Sequence, residues 1–226
     1  MTEQQLYEKY GEEKVMVVES RNFTKDDTIY DYMEKIQFYG VFLPRYQMER
    51  DLNYRQIIPY VVLKCDDKYF VAKRLGGDER LVGGCSLGQG GHINPVDRFA
   101  VEGRRVIPEY IVKECIYREM VEETTMDLSA GRPDIEFKDV FIDDSTDVSR
   151  VHACILCVME INEEIEVKET DKLEGMWLTE KEITNEIFDT FENWSRIAYQ
   201  KLFGRDVPVG KKKRTPRRKK DESVEE

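Results

Sequence analysis

The sequence predicts an α/β protein, an α/β/α sandwich with a mixed sheet covered on both faces. Three observations lead to it. Apolar, β-branched runs stand both before and after one central helical stretch, Tyr110–Thr124. A second helical stretch follows the last strand. No internal repeat suggests a solenoid or propeller. At 226 residues, 40% hydrophobic and 11% aromatic, the chain is long enough for one ordinary or large domain, or two small ones, with a real core.

Residues 1–13 are polar and are expected to be loose. Lys14–Glu19 (KVMVVE) reads as the first strand. Asp26–Phe38 carries Ile29, Tyr30, Met33 and Ile36 at helical spacing, with Thr24 or Asp26 available as N-cap. Leu43–Asn53 is charged and reads as a loop or short helix. Gln56–Cys65 and Lys68–Lys73, joined at Asp66-Asp67, form a hairpin. Pro59 is then expected at a strand start, a bulge or an edge, since it cannot donate to a ladder.

A glycine-rich region follows, with Gly76, Gly77, Gly83, Gly84, Gly88, Gly90 and Gly91 within sixteen residues. Glycine lets a backbone approach a ligand closely; the alternative is an ordinary turn-rich connection. Asn94–Pro108 reads as irregular, with a short hairpin around Gly103. Beyond the central helix, Ile135–Ile142 and Arg150–Ile161 read as strands joined by an acidic turn, and Gly175–Leu178 as a short strand. From Thr179 one long helix is expected to run to about Phe203, with a Thr179/Glu182 capping box at its start and Gly204 as its stop. Domain boundaries are expected as an N-terminal extension (1–54) packed on the main domain (55–208), then a disordered tail (209–226).

Composition narrows the function. No run of about 18 apolar residues is present, so no membrane span is expected. The N-terminus lacks the basic and apolar regions of a secretory signal, which points to a cytoplasmic protein. Five cysteines are an odd number without a disulfide framework. Cys154 and Cys157 fall in a strand and should face opposite ways, which argues against a metal or redox pair. Net charge is −11, unevenly spread. Residues 211–226 hold eight Lys or Arg against four acids, so the tail is +4 and the rest −15. The acidic body disfavours general nucleic-acid binding but not an anionic substrate held through a metal. The basic tail is either a nucleic-acid contact or a solubilising segment.

The densest chemistry is Arg118-Glu119-Met120-Val121-Glu122-Glu123. Glu119, Glu122 and Glu123 are spaced i, i+3, i+4 and share one helix face. Three carboxylates there repel one another; a divalent cation resolves this, since Mg²⁺ takes carboxylate and phosphate oxygens. A solvated acidic face is the bland alternative.

Gly90-Gly91-His92 together with Arg118–Met126 resembles the Nudix hydrolases, and the run Arg55–Ile93 resembles a subgroup of bacterial and phage Nudix proteins described as predicted phosphoesterases. The family signature reads Gly, five residues, Glu, seven residues, then Arg-Glu-apolar-x-Glu-Glu-x-Gly-apolar. The helix half matches, with Thr125 replacing the glycine. From Gly91 to Arg118 is 27 positions where the signature has 14, so thirteen residues are inserted. The resemblance spans roughly residues 55–203. It implies a Mg²⁺-dependent hydrolase, Mn²⁺ being an alternative metal, that cleaves a pyrophosphate bond in a nucleoside-diphosphate-linked substrate. Glu122 and Glu123 become metal ligands, Glu119 a ligand or general base, and Arg118 the group holding the glutamates in register. The Gly90 carbonyl completes the metal shell, and Gly91 and His92 lie at the substrate. Glu109 is the stand-in for the first glutamate, and Glu174 supplies a late-loop acid. His92 can instead be structural, and His152 and Trp177 read as packing residues. Two other readings are a non-catalytic nucleotide-binding or regulatory module, and an isopentenyl-diphosphate-isomerase-like enzyme using Cys85. A homodimer contact through residues 1–54 is a further expectation.

Overall fold

The computed structural model describes residues 1–76, 82–99 and 107–204. Its spine is the long strand β3 (Tyr54–Cys65), buried along nearly its whole length. One edge of β3 pairs in parallel with β8 (His152–Glu160), in continuous register from Gln56↔His152 to Lys64↔Glu160. The other edge is shared by three antiparallel partners in succession. β1 (Lys14–Glu19) takes Tyr54–Gln56, β6 (Gln89–Gly90) takes Tyr60–Val61, and β4 (Lys68–Arg74) takes Lys64–Cys65. β2 (Val41–Pro44) lies outside β1, and β7 (Ile135–Phe141) lies antiparallel to β8. β9 (Leu173–Thr179) and β5 (Cys85–Ser86) flank β4. The sheet is mixed, as the order of strands and helices predicts.

Pro59 departs from expectation. It occupies the interior of β3, in register with Ile155 of β8. Its carbonyl accepts from the Gly91 amide at 3.4 Å, so its missing N–H falls on that same edge, between the last β1 pair at Gln56 and the first β6 pair at Tyr60. A break in pairing there makes a central proline tolerable.

Alternation along β3 and β8 sorts the core into two layers. Ile57, Val61, Leu63, Ile155 and Cys157 pack against α2 (Ile29–Tyr39) and α5 (Pro108–Glu123). Tyr60, Val62, Cys154 and Leu156 pack against α7 (Asn193–Phe203), in a cluster that includes Phe188 and Phe191. Cys154 and Cys157 do face opposite ways, and all five cysteines are free and buried.

Several boundaries differ from those expected. Residues 3–10 form a helix, α1 (Glu3–Tyr10), with a capping box between Thr2 and Gln5. α2 is capped by Thr28, whose hydroxyl accepts from the Asp31 amide, not by Thr24 or Asp26. The 43–53 region contributes the end of β2 and a short helix, α3 (Arg45–Met48). The long terminal helix is broken. The Thr179/Glu182 capping box opens α6 (Glu180–Glu182), but a wide turn at Ile183–Ile187 and a tight one at Phe188–Thr190 precede α7. Phe191 turns extended there, because its backbone bridges to Cys85 and the Glu192 amide donates to the Cys85 carbonyl at 2.9 Å. Gly204, at φ 63°, ends α7 as expected. Among the described residues no helix is long and apolar enough to cross a membrane. Gly77, the expected hairpin around Gly103, and the 209–226 tail lie outside the described residues.

Candidate active site where the glycine loop meets the acidic helix

Proline at the first position of α5 sets its start, and Val112, Cys115, Ile116 and Met120 hold one face in the core. The opposite rim then carries Arg118, Glu119, Glu122 and Glu123. The glycine loop is fixed from the other side of the sheet. The Tyr60 hydroxyl lies 2.9 Å from the Ser195 hydroxyl on α7 and accepts from the Gly88 amide at 2.9 Å, while the Leu87 amide donates to Ser195 at 3.0 Å. A side chain at 88 would overlap the Tyr60 ring. One at 91 would place its Cβ 2.1 Å from the Glu119 Cγ, so the absence of a side chain at Gly91 lets that carboxylate lie on the loop backbone.

Arg118 is the hub. Its Nε and Nη2 donate to both oxygens of Asp97, at 2.8 and 3.0 Å. Nη1 donates to Glu119 at 2.7 Å and Glu122 at 3.1 Å, and Nη2 also to the His92 carbonyl at 2.9 Å. Asp97 sits on α4 (Pro95–Phe99), is only 2% exposed, and accepts from the Asn94 amide. Burial works against the Arg118 charge, but the Asp97 and Glu119 carboxylates outweigh it and hold the guanidinium firmly protonated.

Asp97 is the residue the sequence reasoning missed. Five residues separate it from Gly91, the spacing of the signature's first glutamate, and it holds Arg118; Glu109 does not. Glu109 stands nine residues before Arg118, about 13.5 Å along the helix axis. The inserted residues therefore lie between Asp97 and Arg118. The five-residue spacing was the available signal.

Desolvation raises the Glu119 pKa, against the pull of Arg118. Glu123 is partly exposed, yet partial desolvation with the charges of Glu119, Glu169 and Glu122 pushes it up to about 7. Glu169 comes from the loop between β8 and β9. That loop is tied to the end of α5, where the Lys168 amide caps the Glu123 carbonyl at 2.9 Å and the Thr125 amide donates to the Glu166 carbonyl at 2.9 Å. The late-loop acid near the cluster is thus Glu169. Glu174 instead points to solvent beside Lys73, 3.4 Å away. Thr125 fits where the signature has glycine because the helix leaves through an extended Thr124, and Thr125 itself has no positive φ.

Glu119 against the Gly91 backbone, with Glu122 and Glu123 on the same rim of α5, offers oxygen donors of the kind a hard divalent cation takes. Among the described residues no three acidic, His or Cys side chains are already closed around a metal position; Arg118 holds Glu119 and Glu122. The His92 ring turns inward, 5.6 Å from the His152 ring. Burial, reinforced by Arg45, His152 and Arg118, keeps it neutral. His152 is buried and its Nδ1 lies 2.6 Å from the Val148 carbonyl, while Trp177 packs on Phe70 and donates to the Ile165 carbonyl at 2.9 Å. Both are packing residues. Cys85 is buried in the α7-side cluster, on the sheet face away from α5.

No family model matches the chain. Protein YmaB of Bacillus subtilis (strain 168) is 31% identical over 180 residues, covering 77% of this chain and 84% of YmaB. The crystal structure of Tm1382, assigned to the Nudix hydrolases, superposes with a TM-score of 0.68 at 26% identity, covering 85% of this chain and 99% of Tm1382. With an acid-bound arginine leading the Glu-x-x-Glu-Glu helix beside a glycine loop, on a fold shared with Tm1382, the chain belongs to the Nudix hydrolase family.

Proposed function

We propose that this protein is a divalent-metal-dependent hydrolase that cleaves the pyrophosphate bond of a nucleoside-diphosphate-linked substrate. Glu119, Glu122, Glu123 and the Gly90 carbonyl would hold Mg²⁺ or Mn²⁺. The observation that carries this reading is geometric: Glu119, Glu122 and Glu123 share one rim of α5, with the Glu119 carboxylate against the Gly91 backbone, and burial together with the neighbouring carboxylates pushes the Glu123 pKa up to about 7. A cation at the cluster relieves that repulsion. When bound, it supplies charge neutralisation at the phosphates and acidifies a water.

The chain's own residues supply the rest. Arg118, anchored by Asp97, fixes the rotamers of Glu119 and Glu122 and so the direction of their oxygens. Glu119, with its raised pKa, is suited to take a proton from water if it is not a ligand. Gly91 leaves space for that carboxylate against the loop. The neutral His92 contributes its carbonyl to Arg118, and its inward ring favours a structural role over phosphate contact.

The test is turnover of a nucleotide-diphosphate panel with Mg²⁺ or Mn²⁺. Wild type should release phosphate-bearing products, chelation should stop it, and Glu122→Gln should lower kcat roughly 10²-fold or more. Unchanged activity in Glu122→Gln sinks the site assignment. The second reading, a non-catalytic nucleotide-binding module, is favoured by the absence of a preformed three-residue cluster among the described residues. Nucleotide binding without turnover across the panel would establish it. The isomerase-like reading loses support because Cys85 is on the wrong face of the sheet.

A further inference from the structure

One cation at the rim of the acidic cluster has no part in holding the glutamates. Arg74 ends β4, in register with Leu173 of β9, and alternation places it on the face of Phe70 and Ala72, which α5 covers. Its amide donates to the Gly84 carbonyl at 2.9 Å, and its carbonyl accepts from Gly83 at 2.8 Å. The next two amides, Leu75 and Gly76, donate to the Lys172 carbonyl. Leu173 and Lys172 in turn donate to the Glu169 carbonyl, and the same loop caps α5 at Glu123. Arg74 is therefore bound through backbone to both borders of the site, the glycine-rich turn and the Glu169 loop. Its charge reaches Glu123, where it opposes the neighbouring carboxylates.

The guanidinium is oriented by Glu192 and, among the described residues, is not saturated. Nε donates to Glu192, the residue preceding α7, at 2.5 Å. Among the described residues Nη1 and Nη2 have no partner, and the side chain is 38% exposed. An arginine held by its Nε presents a planar pair of amino groups, the geometry that matches two phosphate oxygens. The Glu192 carboxylate sets that plane without using those donors.

We propose that Arg74 grips the phosphates of the substrate through Nη1 and Nη2, with Glu192 as the residue that positions its fork. This rests on the hydrolase reading above and adds a substrate-binding residue outside the Arg118–Glu123 helix. Lysine cannot replace it fully, because an ammonium has no bidentate fork.

Full-length wild type, Arg74→Ala, Arg74→Lys and Glu192→Gln are compared in two titrations. The first is Mn²⁺ alone; the second is methylenediphosphonate, a non-hydrolysable diphosphate, at saturating Mn²⁺. Arg74→Ala should bind Mn²⁺ like wild type but bind the diphosphonate about 10-fold or more weakly. Arg74→Lys should fall between the two, and Glu192→Gln should weaken diphosphonate binding less than Arg74→Ala does. With any panel substrate that wild type turns over, the loss should appear mainly in KM. Diphosphonate binding at wild-type strength in Arg74→Ala, or in Arg74→Lys should the alanine variant not fold, overturns the proposal and leaves the hydrolase reading standing. So does an equal loss of Mn²⁺ binding, which would mark Arg74 as structural. Wild type that binds neither probe overturns both.

Discussion

Glu123 shows how much of the site's chemistry depends on single residues. Its spacing from Glu119 is legible in the sequence, since i and i+4 must share a helix face. Its raised pKa is not, because partial burial, the largest cause, and the charge of Glu169, which reaches it through a loop pinned 46 residues later, both come from the assembled fold. The shift has a definite sign. A carboxyl whose folded-state pKa lies above its usual 4.5 stabilises the fold while protonated, and that stability is lost as pH rises through about 7. Metal-free protein should therefore lose stability between about pH 5 and pH 8. Glu123→Gln should flatten that slope and be the more stable form at pH 8 in chelator. Denaturant titrations at several pH values measure both; equal slopes in the two proteins would refute the assignment. Asp97 is the complementary case. Its spacing from Gly91 is visible, but with twenty residues between it and Arg118 nothing local marks it as that arginine's partner.

At the scale of elements, the site is an assembly of short pieces stitched by side chains. α4 is only five residues long and cannot persist alone; its tie to α5 is the Asp97–Arg118 pair. Removing one partner of a buried pair commonly destabilises by about 3–5 kcal/mol. Arg118 retains Glu119, Glu122 and the His92 carbonyl, so Asp97→Ala should cost less, about 2–3 kcal/mol in urea unfolding. Metal affinity should also fall as the arginine loosens. Glu109→Ala should stay within about 0.5 kcal/mol of wild type. An equal effect of the two substitutions would contradict the arrangement. The broken terminal helix follows similar logic. Helical periodicity across 179–203 is real, but the Phe191 region spends its backbone bonds on β5, and only the fold brings Cys85 to it.

For the whole molecule, the N-terminal residues are part of the main sheet and core. β1 pairs with β3 along Tyr54–Gln56, and Tyr32, Met33 and Ile36 of α2 are buried in the cluster that holds α5. Met48 of α3 is buried with Val15 and Val17 of β1, and Arg45 of α3 bonds Glu13 in the turn between α1 and β1. We propose that residues 1–54 fold with the rest as one unit. A protein lacking them would expose a β3 edge and the underside of α5, and should be insoluble or bind hydrophobic dyes. A soluble deletion variant with a sharp unfolding transition would show the extension to be separable.

What the sequence determined alone was local and periodic: strand and helix alternation, the two-faced core of β3 and β8, the opposed Cys154 and Cys157, and the three glutamates on one rim of α5. Such features need only the geometry of a single element. Tertiary structure decided the rest: Pro59 inside a central strand, Asp97 under Arg118, Glu169 rather than Glu174 beside Glu123, and Arg74 oriented by Glu192. Each depends on which distant segments share an edge of β3 or dock on the end of α5, and chain connectivity hides that until the sheet is assembled.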